Sequence, residues 1–173
     1  MVSGVSISNN IGGKWTKPKT LQIKNDYNYS DRAHYFLSTT QKTLLMSVDR
    51  EDTHGGRDLY VSFEQPDSSW SEPLNLGDVI NTAGDEITPF LASDDKTLYF
   101  SSNGFSGYGG SDIYVCHLQP NGRWSDPENL GRIVVQEQHL DFTPVAGVDQ
   151  SRSVDQRDSM SARKSGARQN HAG

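Results

Sequence analysis

Short runs that alternate apolar and polar residues, each about the length of one β-strand, recur through the first 145 residues. In the clearest stretch, residues 87–93 and 97–102 are rich in β-branched and aromatic side chains and flank a polar turn, which predicts a β-hairpin. Residues 112–118 and 124–130 predict a third and a fourth strand. Pro127 confines the fourth strand to a sheet edge, because proline cannot donate to a central ladder.

The same pattern appears earlier because the sequence is an internal repeat. Three tryptophans, 55 and 54 residues apart, begin the same phrase: Trp15 opens W-T-K-P, Trp70 opens W-S-E-P, and Trp124 opens W-S-D-P. In addition, K-T-L-L-M-S at 42–47 returns as K-T-L-Y-F-S at 96–101. A repeat of this length indicates one supersecondary unit per period. In the earlier copy the predicted strands are residues 35–38, 43–47, 58–63 and 70–76.

Four short antiparallel strands per period, without helical periodicity, are typical of one β-propeller blade. The sequence therefore predicts an all-β fold: a partial β-propeller with two complete four-stranded antiparallel blades at about 30–77 and 85–131. Fragments of flanking blades are expected at 15–23, as an outer strand, and at 141–145, as a first strand. The lack of crossover helices excludes a parallel α/β fold.

The predicted organisation has three parts. Residues 1–12 are an N-terminal extension and residues 13–145 hold the repeats. Residues 146–173 are expected to be a disordered tail without a folded role, because so few large apolar side chains cannot offset chain entropy. A weak basic tether is the alternative for this tail.

Composition narrows the classes of function. The net charge of -6 argues against nucleic acid as a partner, since phosphate binding needs clustered Lys and Arg. Cys116 is the only cysteine, so an intrachain disulfide is excluded; it replaces Ser62 of the earlier repeat and is expected to be a small strand side chain.

We expect no transmembrane segment, since no apolar run approaches about 20 residues. The first residues lack the features of a secretory signal, so the chain is either cytosolic or part of a longer exported protein.

Several motifs together carry a family resemblance. These are G-G-R-D-L-Y-V-S at 55–62, W-S-E-P-L-N-L-G-D-V-I-N-T at 70–82, D-E-I-T-P-F-L-A-S-D-D-K-T-L-Y-F-S-S-N-G at 85–104 and G-Y-G-G-S-D-I-Y-V at 107–115. They resemble the WD-repeat-like propeller of TolB-related proteins, and more narrowly the form found in OmpA-associated envelope proteins of Bacteroidetes-type bacteria. The first repeat departs mildly: Arg32 stands opposite Glu86, and Val48-Asp49-Arg50 stands opposite Ser102-Asn103-Gly104.

The resemblance implies a role as well as a fold. In that family the propeller lies between tetratricopeptide repeats and a carboxypeptidase-regulatory-like domain, followed by an OmpA-like domain that grips peptidoglycan. The peptidoglycan-binding residues have no counterpart in these 173 residues, so cell-wall binding is not predicted. What the resemblance implies is a location in the periplasm or at the outer membrane, with protein partners in an envelope complex.

Acidic residues at repeated positions are the first candidate sites. Asp58 and Asp112 each lie just after a Gly pair and two residues before a Tyr. There they either ligate a cation or accept backbone N–H bonds that fix the turn into the third strand, and we favour the turn. Glu86 and Asp141 lie three residues before a proline, at the entry to an innermost strand. They either line a channel that binds a cation or basic peptide, or satisfy backbone donors between blades, which we favour.

The remaining candidates lie in turns and loops. Residues 93–97 resemble the Asp box of sialidase propellers, itself a structural turn, but lack its glycine. Phe105 and Tyr108 are the candidate recognition residues, in a loop over 104–110 that we expect to be a flexible surface connection; packing on the neighbouring blade is an equal alternative. The histidines share no metal-ligand spacing, so neither a metal nor a cofactor is expected.

The sequence thus predicts a non-enzymatic protein-interaction scaffold, with self-association as one way to complete the propeller. The alternative is a carbohydrate-active or glycan-binding propeller of sialidase type, for which no catalytic carboxylate pair is identified. A third interpretation, the propeller of a prolyl-oligopeptidase or tricorn-type peptidase, requires a hydrolase domain that these residues do not encode.

Overall fold

The computed structural model describes residues 5–131, and the predicted strand at 141–145, Asp141 and the predicted disordered tail lie outside that range. Residues 5–131 form twelve β-strands and no helix. The all-β prediction is confirmed, and so are two four-stranded antiparallel sheets, one per repeat. The sheets do not close on each other within this range.

The first sheet is a meander in which consecutive strands are neighbours. Its strands are β5 (His34–Leu37), β6 (Thr43–Val48), β7 (Asp58–Phe63) and β8 (Leu74–Asn75). At its centre Leu45 pairs with Phe36 on one side and with Val61 on the other.

The second sheet repeats that order and register. Its strands are β9 (Glu86–Leu91), β10 (Thr97–Ser102), β11 (Asp112–His117) and β12 (Glu128–Asn129). Tyr99 pairs with Phe90 and Val115, each 54 residues beyond its counterpart in the first sheet. The repeat read from the sequence is therefore a repeat of hydrogen-bond register at the centre of each sheet, whereas a bulge between Tyr99 and Ser101 shifts the start of β9 by one residue.

The fourth strand of each sheet is shorter than predicted. Only two residues pair with the third strand, and Trp70 and Trp124 each add one isolated antiparallel bridge, to Glu64 and Leu118. Pro73 and Pro127 lie between that bridge and the strand, and proline has no N–H to continue a ladder.

The N-terminal segment forms a nested hairpin rather than the single outer strand predicted for 15–23. β2 (Asn10–Ile11) pairs with β3 (Lys14–Trp15), and β1 (Ser6–Ile7) pairs with β4 (Lys19–Thr20). The inner turn is Gly12-Gly13, where both residues have positive φ. The chain then reaches the first sheet, where Ile23 forms a parallel bridge with Trp70.

Two apolar clusters form the core, one on each face of the first sheet. One cluster packs the N-terminal segment on the first sheet, where Ile23 and Trp70 join Leu44, Met46 and Tyr60. The other lies between the two sheets, and its buried members are Leu45, Leu59, Ile80, Leu91, Leu98, Phe100, Tyr114 and Cys116. Because side chains alternate along a strand, neighbours such as Leu44 and Leu45 enter different clusters. The first sheet is therefore covered on both faces.

Candidate functional site

Three loops meet at one end of the two sheets, which we call the loop end. They are the β6–β7 loop (residues 49–57), the β8–β9 connection (76–85) and the β10–β11 loop (103–111). The N–H of Gly56 donates to Gly84 O at 2.8 Å, and Asp85 N donates to Asn103 Oδ1 at 2.7 Å. The connection is thus held between the two loops.

Glycines make these close approaches sterically feasible. A Cβ at Gly55 would overlap the Ala83 backbone, and one at Gly104 would overlap the Thr82 hydroxyl. A Cβ at Gly107 would likewise overlap the Asp112 carboxylate. Gly104 and Gly107 are therefore closely packed, whereas Gly110 has no heavy atom within 4 Å of an added Cβ. The flexibility expected for the connection over 104–110 stays a prediction.

An ion pair reinforces the contact between the β6–β7 loop and the connection. Arg57 Nε lies 3.0 Å from Asp85 Oδ1, which also accepts the Arg57 backbone N–H at 3.0 Å. Partial burial acts to raise the pKa of Asp85, but the hydrogen bonds and charge of Arg57 outweigh it, so the pKa is lowered.

Glu86 is fully buried and does not face an open channel within the described residues. Its Oε1 accepts the hydroxyls of Thr82 and Ser102, both at 2.6 Å, and its Oε2 accepts Thr82 N at 2.9 Å. Its backbone joins the two sheets, because Ser47 Oγ donates to Glu86 O at 2.6 Å and Glu86 N donates to Arg57 O at 2.7 Å. The side chain thus fixes the start of β9.

Asp58 and Asp112 are buried at equivalent places, at the starts of β7 and β11. Asp58 Oδ2 accepts His54 N at 3.0 Å, and Asp112 Oδ2 accepts Tyr108 N at 2.5 Å. Each also bonds an amide of the edge strand, Asn75 or Asn129. In both residues Oδ1 has no hydrogen-bond partner among the described residues. Each carboxylate therefore stabilises the equivalent turn of its own repeat.

His54 and Tyr108 occupy the same position of the repeat and are both exposed, and sequence reasoning singled out only Tyr108. The backbone N–H of each donates to the aspartate. The side chains differ, because the His54 ring also places Nδ1 3.2 Å from Asp58 Oδ2. Tyr108 is 67% exposed. Phe105, by contrast, packs against Phe100 and Tyr114, with ring centroids 6.4 and 5.0 Å away. Within that loop Tyr108 is thus the aromatic available to a partner.

A polar pocket of about 350 Å³ lies beside the first sheet at the loop end. Its floor is Arg50, whose guanidinium stacks 3.9 Å from the Tyr27 ring and donates to the carbonyls of Asn25 and Tyr27. Its rim carries Glu51, Asp52 and Glu72. Sequence reasoning noted only that Arg50 replaces a glycine, which was the one signal available.

Tyr60 supports this pocket from below. Its hydroxyl donates to Asp52 Oδ1 at 2.9 Å and lies 3.0 Å from Thr53 Oγ1. Burial raises the pKa of Tyr60 to about 12, so the phenol remains a neutral donor at physiological pH.

The Asp-box-like turn and the cysteine are both built into the fold. Asp94 accepts the N–H groups of Lys96 and Thr97, each at 2.9 Å, and the Thr97 hydroxyl at 2.7 Å. These bonds, the hydroxyl first, lower the pKa of Asp94 to about 2. Cys116 is buried between the sheets, and burial raises the pKa of its thiol to about 12. Neither group is poised for nucleophilic or acid chemistry.

Two of the three repeat-signature tryptophans pack against an apolar cluster, and the third is exposed. Trp70 is buried in the cluster beneath the N-terminal segment, and Trp124 packs against the cluster between the sheets. Trp15, in the nested hairpin, is 57% exposed. Trp70 and Trp124 therefore play equivalent packing roles.

Within residues 5–131, no group of three or more His, Cys, Asp or Glu side chains is placed to hold a metal ion. Nor does this part of the chain contain a helix with the length and apolar character that crossing a bilayer requires.

Comparison of the chain with protein-family models, curated proteins and solved structures gives no match.

Proposed function

We propose that this chain is a non-enzymatic protein-interaction module built from propeller-type repeats, and part of an OmpA-family-associated protein of the bacterial cell envelope. One observation carries the proposal: the two repeats share the register of their two central strands and their buried aspartates but differ in the loop between those strands. The exposed His54 stands where the exposed Tyr108 stands, and the buried Arg50 beneath the polar pocket stands where Gly104 stands. A constant frame with variable loops is the arrangement of a recognition scaffold.

The acidic residues singled out from the sequence favour a structural role over a catalytic one. Glu86, Asp58 and Asp112 are buried and accept hydrogen bonds from neighbouring loops and strands. A glycosidase instead requires two carboxylates flanking an open sugar site. The envelope location rests on the sequence resemblance.

The pocket beside the first sheet favours a basic partner side chain. The carboxylates of Glu51, Asp52 and Glu72 surround its opening, while Arg50, the positive group of the lining, has a side chain that is only 4% exposed. Lys24 lies 3.8 Å from Glu72 in an exposed ion pair, which a competing cation can displace at little cost. An incoming Lys or Arg side chain would therefore meet three carboxylates and the Tyr27 ring.

A pull-down from a Bacteroidetes-type envelope extract tests the module. We expect a specific protein to bind the wild-type chain, to be lost with Tyr108→Ala or Glu51→Gln, and to be retained with Trp15→Ala. Trp15 is a fair control because it is also an exposed aromatic but lies in the nested hairpin. Failure to recover any specific protein, or equal recovery by all variants, would contradict the proposal.

The sialidase-type alternative depends on the Asp94 turn, whose carboxylate accepts three hydrogen bonds within its own turn. That use favours a structural role. A glycan array and a fluorogenic sialoside assay separate the two functions: turnover that a carboxylate substitution abolishes would replace the interaction module by an enzyme.

A further inference from the structure

The outer face of the second sheet, which points away from the first sheet, is apolar and open. It forms a groove of about 290 Å³ lined mainly by Phe90, Tyr99, Ile113 and Leu130. Phe90 is 37% exposed and Leu130 is 40% exposed. Apolar side chains grouped on one sheet face mark a surface that is normally covered.

The first sheet shows what covers the equivalent face. Leu45 and Leu59, which correspond to Tyr99 and Ile113, are 1% and 0% exposed because the second sheet packs on them. Ser47 is fully buried, whereas Ser101 at the same position of the second sheet is half-buried. The second sheet thus buries this face of the first sheet, whereas no described residues bury the equivalent face of the second sheet.

Strand β9 makes the closest contacts with the first sheet. Phe90 packs edge-on against Phe36, with ring centroids 5.0 Å apart, and Ser47 Oγ donates to Glu86 O. The segment that covers such a face therefore has the sequence E-I-T-P-F.

The chain carries a second copy of that segment at a suitable distance. Residues 141–145 read D-F-T-P-V, with acid, threonine and proline at the same positions. Eight residues (78–85) separate Gly77 from Glu86, and nine (132–140) separate Gly131 from Asp141. A connection of nearly equal length therefore starts from the equivalent edge strand.

A second copy of the chain is a poorer occupant. To pack as the second sheet packs on the first, it would present the face of its first sheet that carries Leu44 and Met46. That face is already covered, because Leu21 and Ile23 of the N-terminal segment lie on it.

We propose that the outer face of the second sheet is the docking surface for residues 141–145 of the same chain, seated as β9 is seated on the first sheet. Phe90 then takes the place of Phe36, and Val145 takes the place of Phe90. This inference is independent of the proposed envelope function.

Disulfide cross-linking of the full chain tests the docking. In a Cys116→Ser background, which installs the residue found at position 62, Phe90→Cys is combined with Val145→Cys or, as the control, with Val148→Cys. Both tethers have similar length, so a seated segment should cross-link the Val145 pair at least about tenfold faster. The product should be a monomer, identified by mass spectrometry. Equal rates for the two pairs, or a disulfide-linked dimer, would overturn the proposal, and the dimer would assign the face to a second copy.

Thiol labelling gives a second measurement that needs no engineered disulfide. In the same background, Ser101→Cys should react at least about tenfold more slowly with a maleimide than it does when Val145→Asp is also present. Val148→Asp should leave the slow rate unchanged. Fast labelling in the chain without Val145→Asp, or protection that grows with protein concentration, would count against residues 141–145 as the cover.

Discussion

Gly104→Ala is expected to loosen the junction of the three loops at the loop end. An added Cβ would overlap Thr82 Oγ1 and would lie 2.6 Å from Thr82 Cβ and 3.0 Å from Gly84 N. The Thr82 hydroxyl cannot simply rotate away, because it donates to Glu86 Oε1 at 2.6 Å and accepts Gly84 N at 3.0 Å.

The cost of Gly104→Ala follows from those two hydrogen bonds. A bond to a charged group contributes about 1.5–3 kcal/mol, and a neutral one contributes about 0.5–1.5 kcal/mol. The lower entropy of the unfolded alanine chain offsets about 0.4–1 kcal/mol. The free energy of unfolding should therefore fall by about 1–4 kcal/mol.

Gly110→Ala is the matched control, since it lies in the same loop with no heavy atom within 4 Å of the new Cβ and no positive φ. It should leave stability unchanged or raise it by up to about 1 kcal/mol. Urea unfolding followed by tryptophan fluorescence measures both variants. A Gly104→Ala value within about 0.5 kcal/mol of Gly110→Ala would refute the packed-junction argument.

Three further outcomes are expected. Ser47→Ala should lower the unfolding free energy by about 1–2 kcal/mol in urea titrations, because Glu86 O loses its buried donor; an unchanged midpoint would contradict the inter-sheet bond. Asp94 has a folded-state pKa of about 2 against an ordinary 3.8, so its stabilisation is present above about pH 4 and lost towards pH 2. The melting-temperature gap between wild type and Asp94→Asn should accordingly shrink over that range, and a constant gap would argue against it. Cys116 should label with maleimide only as fast as the chain unfolds globally, whereas rapid labelling of the folded chain would show an open core.

The inner strands were predictable because their signals are local. Alternation and β-branched or aromatic content placed the central strands of both sheets close to their observed bounds, and the repeat indicated that the two sheets would have the same strands. The signal was weaker where prolines interrupt the pattern, and the fourth strands and the N-terminal segment accordingly differ from the prediction.

The loop end was less predictable because its contacts join residues distant in the sequence. Nothing near Gly104 indicates that Thr82 will lie against it, and a glycine-rich run looks the same whether it is mobile or closely packed. Likewise, Arg50 gave a local sign of irregularity but no sign of the Tyr27 ring on which it stacks.

The two outer faces of the sheet pair differ, because the one on the first sheet is covered and the one on the second sheet is open. Residues 5–23 cover one face of the first sheet, whereas the outer face of the second sheet has no cover among residues 5–131. Extra copies of the 54-residue unit, spliced in frame after Gly131, would meet a surface of the kind that the existing second unit presents. Further repeat units can therefore be added at the C-terminal side of the second sheet alone. The chain is in this sense a modular scaffold that grows in one direction, suited to engineering longer binding surfaces.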